Sequence, residues 1–218
     1  MKKLLPLRRD RGFTLIEMLT VMLIIAILAS LILGVNALVQ NKAARSRAEG
    51  EIHTLSMGCE NYKVDNGTYP RTGDTDALSP REDGNPASGD GAKKYQDASK
   101  DLYKALSGDT SPKDPDFKPD EKIYLPDFFK PNVLAAKKDG DGKIIEVKYI
   151  QDPFGQSYGY STAGAQEEED FLKQLRKKPD TSRPASRRGY NPTFDLWSTG
   201  GSTGGVTAKD QGKWVKNW

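Results

Sequence analysis

From Phe13 to Leu33 the chain is apolar at nearly every position, and Glu17 is the only charged residue in that run. A stretch of about 20 apolar residues has spanning length, so 13–34 is expected to be a transmembrane helix half. The pattern then becomes amphipathic. Ile52, Leu55, Cys59 and Tyr62 recur at helical spacing and define one buried face, while Lys42, Arg45, Arg47, Glu49, Glu51 and Glu60 read as a solvated face. One helix from Phe13 to Tyr62 would be roughly 75 Å long at about 1.5 Å per residue, with 35–64 as the spine of an ectodomain. Gly34 and Gly50 are its weak points. "DNGTYP", residues 65–70, ends it with Asn-Gly turn chemistry and a proline, which also accounts for the Asn66-Gly67-Thr68 sequon.

Beyond the spine the periodicity changes. Residues 65–131 hold eight of the thirteen prolines and read as a variable region of loops with one short helix over 95–108. "RTGDTDALSPREDGNPASGDGAKK" within it is expected to be an exposed loop. "PNVLAA" and "KIIEVKYI" flank "KKDGDG", a hairpin signal. The Asp139–Gly142 run lacks the fifth-position oxygen of a calcium-binding loop, where Lys143 stands, and predicts a turn. Residues 132–218 are thus expected to form an antiparallel sheet and a terminal loop. They are interrupted at 165–188 by a charged insertion, a short helix with acids first and bases last, followed by a basic loop. The fold class is α+β, a long N-terminal helix packed on a small antiparallel sheet.

Charge sharpens this picture. The net charge is +3, but residues 1–12 alone carry +4, which leaves −1 for the rest. The basic excess belongs to a leader, so no nucleic-acid partner is expected. That leader would remain cytoplasmic and send the C-terminal bulk outward. The single cysteine, Cys59, precludes an intramolecular disulfide, and with the single histidine, His53, it is too little for a Cys/His zinc site. No nucleophile elbow, metal cluster or phosphate loop supports a signal-anchored periplasmic enzyme, so no catalytic residue is assigned. Glu17 is the anomaly: a carboxylate in a bilayer costs roughly 2.5 kcal/mol or more, so it calls for a partner.

"RGFTLIEMLTVMLIIAILASLI" resembles the class III signal and N-terminal helix of type IV pilins and type II secretion pseudopilins. "DNGTYP", "DPFGQSYGY", "FDLWSTGG" and the terminal "KWVKNW" are similar, in that order, to motifs of the G-type major pseudopilins. The resemblance implies cleavage by a prepilin peptidase between Gly12 and Phe13 and N-methylation of Phe13. It also implies pairing of Glu17 with the Phe13 amine of a neighbouring subunit. The expected product is a structural, single-pass inner-membrane protein with a periplasmic C-terminal domain. It would assemble as a helical homo-oligomer in contact with lipid, other pseudopilins and an assembly platform, and indirectly with a secretin, to help push folded proteins outward. A type IV pilus subunit is the alternative, although the disulfide-bounded loop usual there has no cysteines here.

The resemblance further implies one structural calcium in the C-terminal loop. Carried over residue by residue, the backbone oxygens of Leu196 and Ser198 match, with Asp210 as the remaining acid. Ser202 and Lys209 stand where the pattern has acids, and a lysine ammonium repels a divalent cation. No cofactor is otherwise required. The alternative is a Gly-rich loop held by packing of Trp197, Trp214 and Trp218.

Overall fold

In the computed structural model, helix α1 runs from Leu15 to Asn66. The structure describes residues 13–84, 86–87, 89–110, 122–184 and 187–218, and not the side chains of 31–37. The leader, 1–12, lies outside the described residues. The chain divides into two compact units at Ala43/Ala44.

Among the described residues of the first unit the helix has no tertiary cover. Phe13, Leu15, Ile16, Met22 and the apolar residues that follow to Leu28 are exposed. Its polar side chains are satisfied locally: Thr20 Oγ donates to the Ile16 and Glu17 carbonyls, and Ser30 Oγ to the Ile27 carbonyl. Such back-bonding leaves no hydroxyl unpaired in an apolar medium. Among the described residues no helix is long and apolar enough to cross a membrane. The described part of the run, Leu15 to Ser30, is shorter than the roughly 20 residues a span needs, and the run continues into positions whose side chains are not described.

In the second unit most of the expected face of α1 is buried: Ile52, Leu55 and Cys59 are covered, with Ala48 beside them, and Tyr62 is half-buried against the same core. The helix ends with Gly67 at φ 75°, its N–H donating to the Lys63 carbonyl. Two short segments follow, α2 (Gly73–Ala77) and α3 (Gly89–Ser107). α2 corrects the expectation of an exposed loop: Thr72 and Thr75 exchange reciprocal cap bonds, and Thr75, Leu78 and Ser79 are buried. α3 begins six residues earlier than its apolar positions imply, and buries Tyr95, Ala98, Leu102 and Leu106 along one side.

The hairpin forms as expected, β1 (Leu134–Lys138) antiparallel to β2 (Ile144–Ile150), with Asp139 Oδ1 accepting the Asp141 and Lys143 N–H groups in the turn. A second antiparallel sheet has the order β3 (Gly159–Ser161), β4 (Asp195–Ser198), β5 (Val215–Lys216). α4 (Ala163–Lys177) is the charged insertion, with Arg176 and Lys177 in its last turn, where cations oppose the helix dipole. α1, α3 and both sheets enclose one core, from Leu55 and Leu102 to Ile150, Tyr160 and Leu196. A second core gathers Leu78, Tyr95, Ala98, Trp197 and Trp214.

The two sheet motifs fit through one contact. Gly159 pairs with Trp197 across β3 and β4, and a Cβ on Gly159 would lie 2.3 Å from Trp197 Cε2. Only hydrogen fits beneath the indole. Gly159→Ala is therefore expected to displace Trp197 and destabilise the second unit by roughly 1–3 kcal/mol, read as a lower denaturant midpoint with an unchanged slope.

Candidate assembly and loop sites

Glu17 lies in the first turn of α1, three residues after Thr14. The Thr14 N–H and the Thr14 hydroxyl each donate to Glu17 Oε2 at 2.7 Å, and the Glu17 N–H donates to Thr14 Oγ at 3.2 Å. This is a reciprocal N-terminal cap, and the sequence carries its signature: Thr14-Leu15-Ile16-Glu17 is a T-x-x-E capping box. In the single chain, then, Glu17 already has a partner, and Thr14 is a member of the site that the apolar reading passed over. Phe13, next to the cap, is 80% exposed. Gly12 lies outside the described residues.

The C-terminal residues are arranged differently. Leu196 and Ser198 lie in β4 and Asp210 in α5 (Ala208–Gln211). The Leu196 carbonyl accepts the Asn217 N–H at 3.1 Å. The Ser198 hydroxyl donates to Asp152 Oδ2 at 2.6 Å and accepts the Gly200 N–H at 3.0 Å. Asp210 Oδ2 accepts the Thr207 hydroxyl at 2.6 Å, within the cap of α5. Among the described residues no three His, Cys, Asp or Glu side chains gather as a metal site.

Two buried acids hold the loops around β4. Asp152 accepts the Phe154 and Gln156 N–H groups as well as Ser198, and Asp195 accepts those of Tyr190 and Asn191. Burial raises both carboxyls above the usual range, and these hydrogen bonds pull them back. Charge also joins the spine to the sheet, where it was not expected. Glu51, assigned above to the solvated face, is buried, takes the Tyr158 hydroxyl at 2.7 Å and pairs with Arg47 at 2.7 Å. Arg45, also assigned to that face, is half-buried and donates through Nη1 to the Lys213 carbonyl. Helical spacing places these residues at the edge of the apolar face, and only the tertiary partner decides their burial. His53 is exposed, and burial pushes the Cys59 thiol well up, so it is no reactive thiolate.

Comparisons with known proteins bear on the N-terminal site first. Residues 7–33 match the family described as the prokaryotic N-terminal methylation motif. The chain is 31% identical over 135 residues to the type II secretion system core protein G of Aeromonas hydrophila, covering 62% of this chain and 87% of that protein. It is 41% identical over 64 residues to the protein of that name from Pectobacterium carotovorum, covering 29% of this chain and 41% of the relative. With that of Pseudomonas aeruginosa it shares 36% identity over 80 residues, covering 36% and 56%. In the last two the match spans only about two fifths to a little over half of the relative's length. No solved structure matches.

Proposed function

The chain belongs to the family of type II secretion system core protein G, and from that premise we propose that it is a pseudopilin: a structural subunit of a periplasmic filament that helps move folded proteins across the outer membrane. The observation that carries the reading is the N-terminal constellation. A methylation motif over 7–33, an exposed Phe13, a capped Glu17 and an uncovered apolar helix occur together, as an anchored, self-packing subunit needs.

A prepilin peptidase cuts Gly12–Phe13 and methylates the new amine. The helix anchors the subunit in the inner membrane as a single pass, with the C-terminal unit in the periplasm. Glu17 then turns from its own Thr14 toward the Phe13 amine of a neighbour. An opposite charge in low dielectric gives a buried carboxylate its largest gain. The remaining partners are other pseudopilins, an inner-membrane platform and, indirectly, the secretin.

The test is mass spectrometry of the N-terminal peptide from membrane-extracted protein. A chain beginning at methylated Phe13 is expected. A chain still beginning at Met1 in cells with active peptidase overturns the reading.

A further inference from the structure

The loop from Thr199 to Lys213 carries Gly200, Gly201, Gly204 and Gly205, and ordering so many glycines is entropically unfavourable. Something must fasten it. A calcium ion is what the family resemblance implies, and the residues present do not fit one. Calcium takes six to eight oxygens, several of them from carboxylates. Asp210 is the only acid from residue 199 to 218, against Lys209, Lys213 and Lys216, and its carboxylate caps α5. The Leu196 carbonyl already accepts the Asn217 N–H within the protein.

We infer that the guanidinium of Arg45, and not a metal ion, is the cation that fastens the C-terminal loop to the spine helix. Its Nη1 donates to the carbonyl of Lys213, 168 residues away in sequence. Gly200 closes on the same point. At φ 63° it sits in the left-handed region, and a Cβ there would lie 2.3 Å from the Lys213 oxygen and 3.3 Å from Arg45 Nη1. Three segments thus converge on one carbonyl: the spine, the turn after β4 and the entry to β5. Trp214, the next residue, stacks on Trp197 at 5.9 Å and 13°. Trp218 meets Trp197 at 5.8 Å and stacks on Tyr190 at 4.6 Å. Arg45 therefore sets the position from which the indoles pack. A guanidinium is part of the chain, so this fastening needs no bound divalent ion. The inference rests on contacts within the ectodomain and stands whether or not the chain assembles.

All three tryptophans of the chain lie in this cluster, so indole emission reports on the loop. Full-length protein in detergent is compared in excess EGTA and in millimolar calcium, enough to load even a weak extracellular site. The expected result is the same melting temperature and emission maximum in both. Arg45→Gln is expected to shift emission to the red and raise acrylamide quenching roughly two-fold, as local opening exposes indoles. Arg45→Lys, which keeps the charge but not the planar fork, should fall between. Calcium that raises the melting temperature of the unsubstituted protein overturns the inference, and so does Arg45→Gln with unchanged emission. Should Arg45→Gln not accumulate, trypsin cleavage after Lys209 and Lys213 decides. Equal protection in EGTA and calcium supports the guanidinium, and protection in calcium alone overturns it.

Discussion

Glu17→Gln is expected to abolish filament assembly while leaving the chain folded, inserted and cleaved. Glutamine keeps a carbonyl oxygen that accepts from the Thr14 N–H and hydroxyl, as Glu17 Oε2 does at 2.7 Å. The helix cap therefore survives. What is lost is the charge proposed to meet a neighbour's Phe13 amine. Removing one partner of a buried ion pair costs about 3–5 kcal/mol, which is roughly 10²–10⁴-fold in association between subunits. Thr14→Val makes the opposite cut, removing the hydroxyl that exchanges bonds with Glu17 and sparing the charge. A lost cap costs about 1 kcal/mol, so assembly should fall by no more than about ten-fold. Covalent cross-linking of membrane fractions, scored for multimers, separates the two. Multimers of Glu17→Gln at the unsubstituted level would mean that Glu17 only caps its helix, and the proposed pairing would fall.

The reach of the sequence can be judged from the residues on which it succeeded and failed. Patterns that depend on one element were readable. Ile52, Leu55 and Cys59 are spaced for one helical face and are buried on it. Asn66 and Gly67 stop the helix where turn chemistry predicts, and "KKDGDG" turns the hairpin. The charged insertion at 165–188 begins as a helix for the same local reason. Failures came where a residue's environment is set by a distant segment. Glu51 and Arg45 looked solvated because nothing local reveals that Tyr158 and Lys213 will meet them. Leu78 sits between prolines and glycines and looked like loop, yet it is fully buried in the second core beside Tyr95 and Trp197. The T-x-x-E box at Thr14–Glu17 is by contrast a purely local signal, legible within the apolar run that surrounds it.

Trp197→Ala is expected to be the most destabilising single change in the C-terminal unit. The indole is fully buried and tied at every edge. Its Nε1 donates to the Tyr95 hydroxyl at 2.9 Å, and its face lies over Gly159. Trp214 stacks parallel to it and Tyr95 meets it edge-on at 5.5 Å. Truncation leaves a cavity that these neighbours cannot fill: Tyr95 is held by its own hydroxyl, which donates to the Asp83 carbonyl at 2.9 Å, and Gly159 has no side chain. Loss of a buried tryptophan costs about 3–5 kcal/mol, which for a unit of this size lowers the melting temperature by about 10 °C. Trp218 is a fair control, being only half-buried, so Trp218→Ala should cost about 1 kcal/mol. Circular dichroism melts of the full chain in detergent measure both. Equal losses would mean that the cluster acts as a surface cover over the loop. A loss several-fold larger at Trp197 would identify it as the post on which β3, β4 and the loop are hung, and would explain why a glycine stands opposite it.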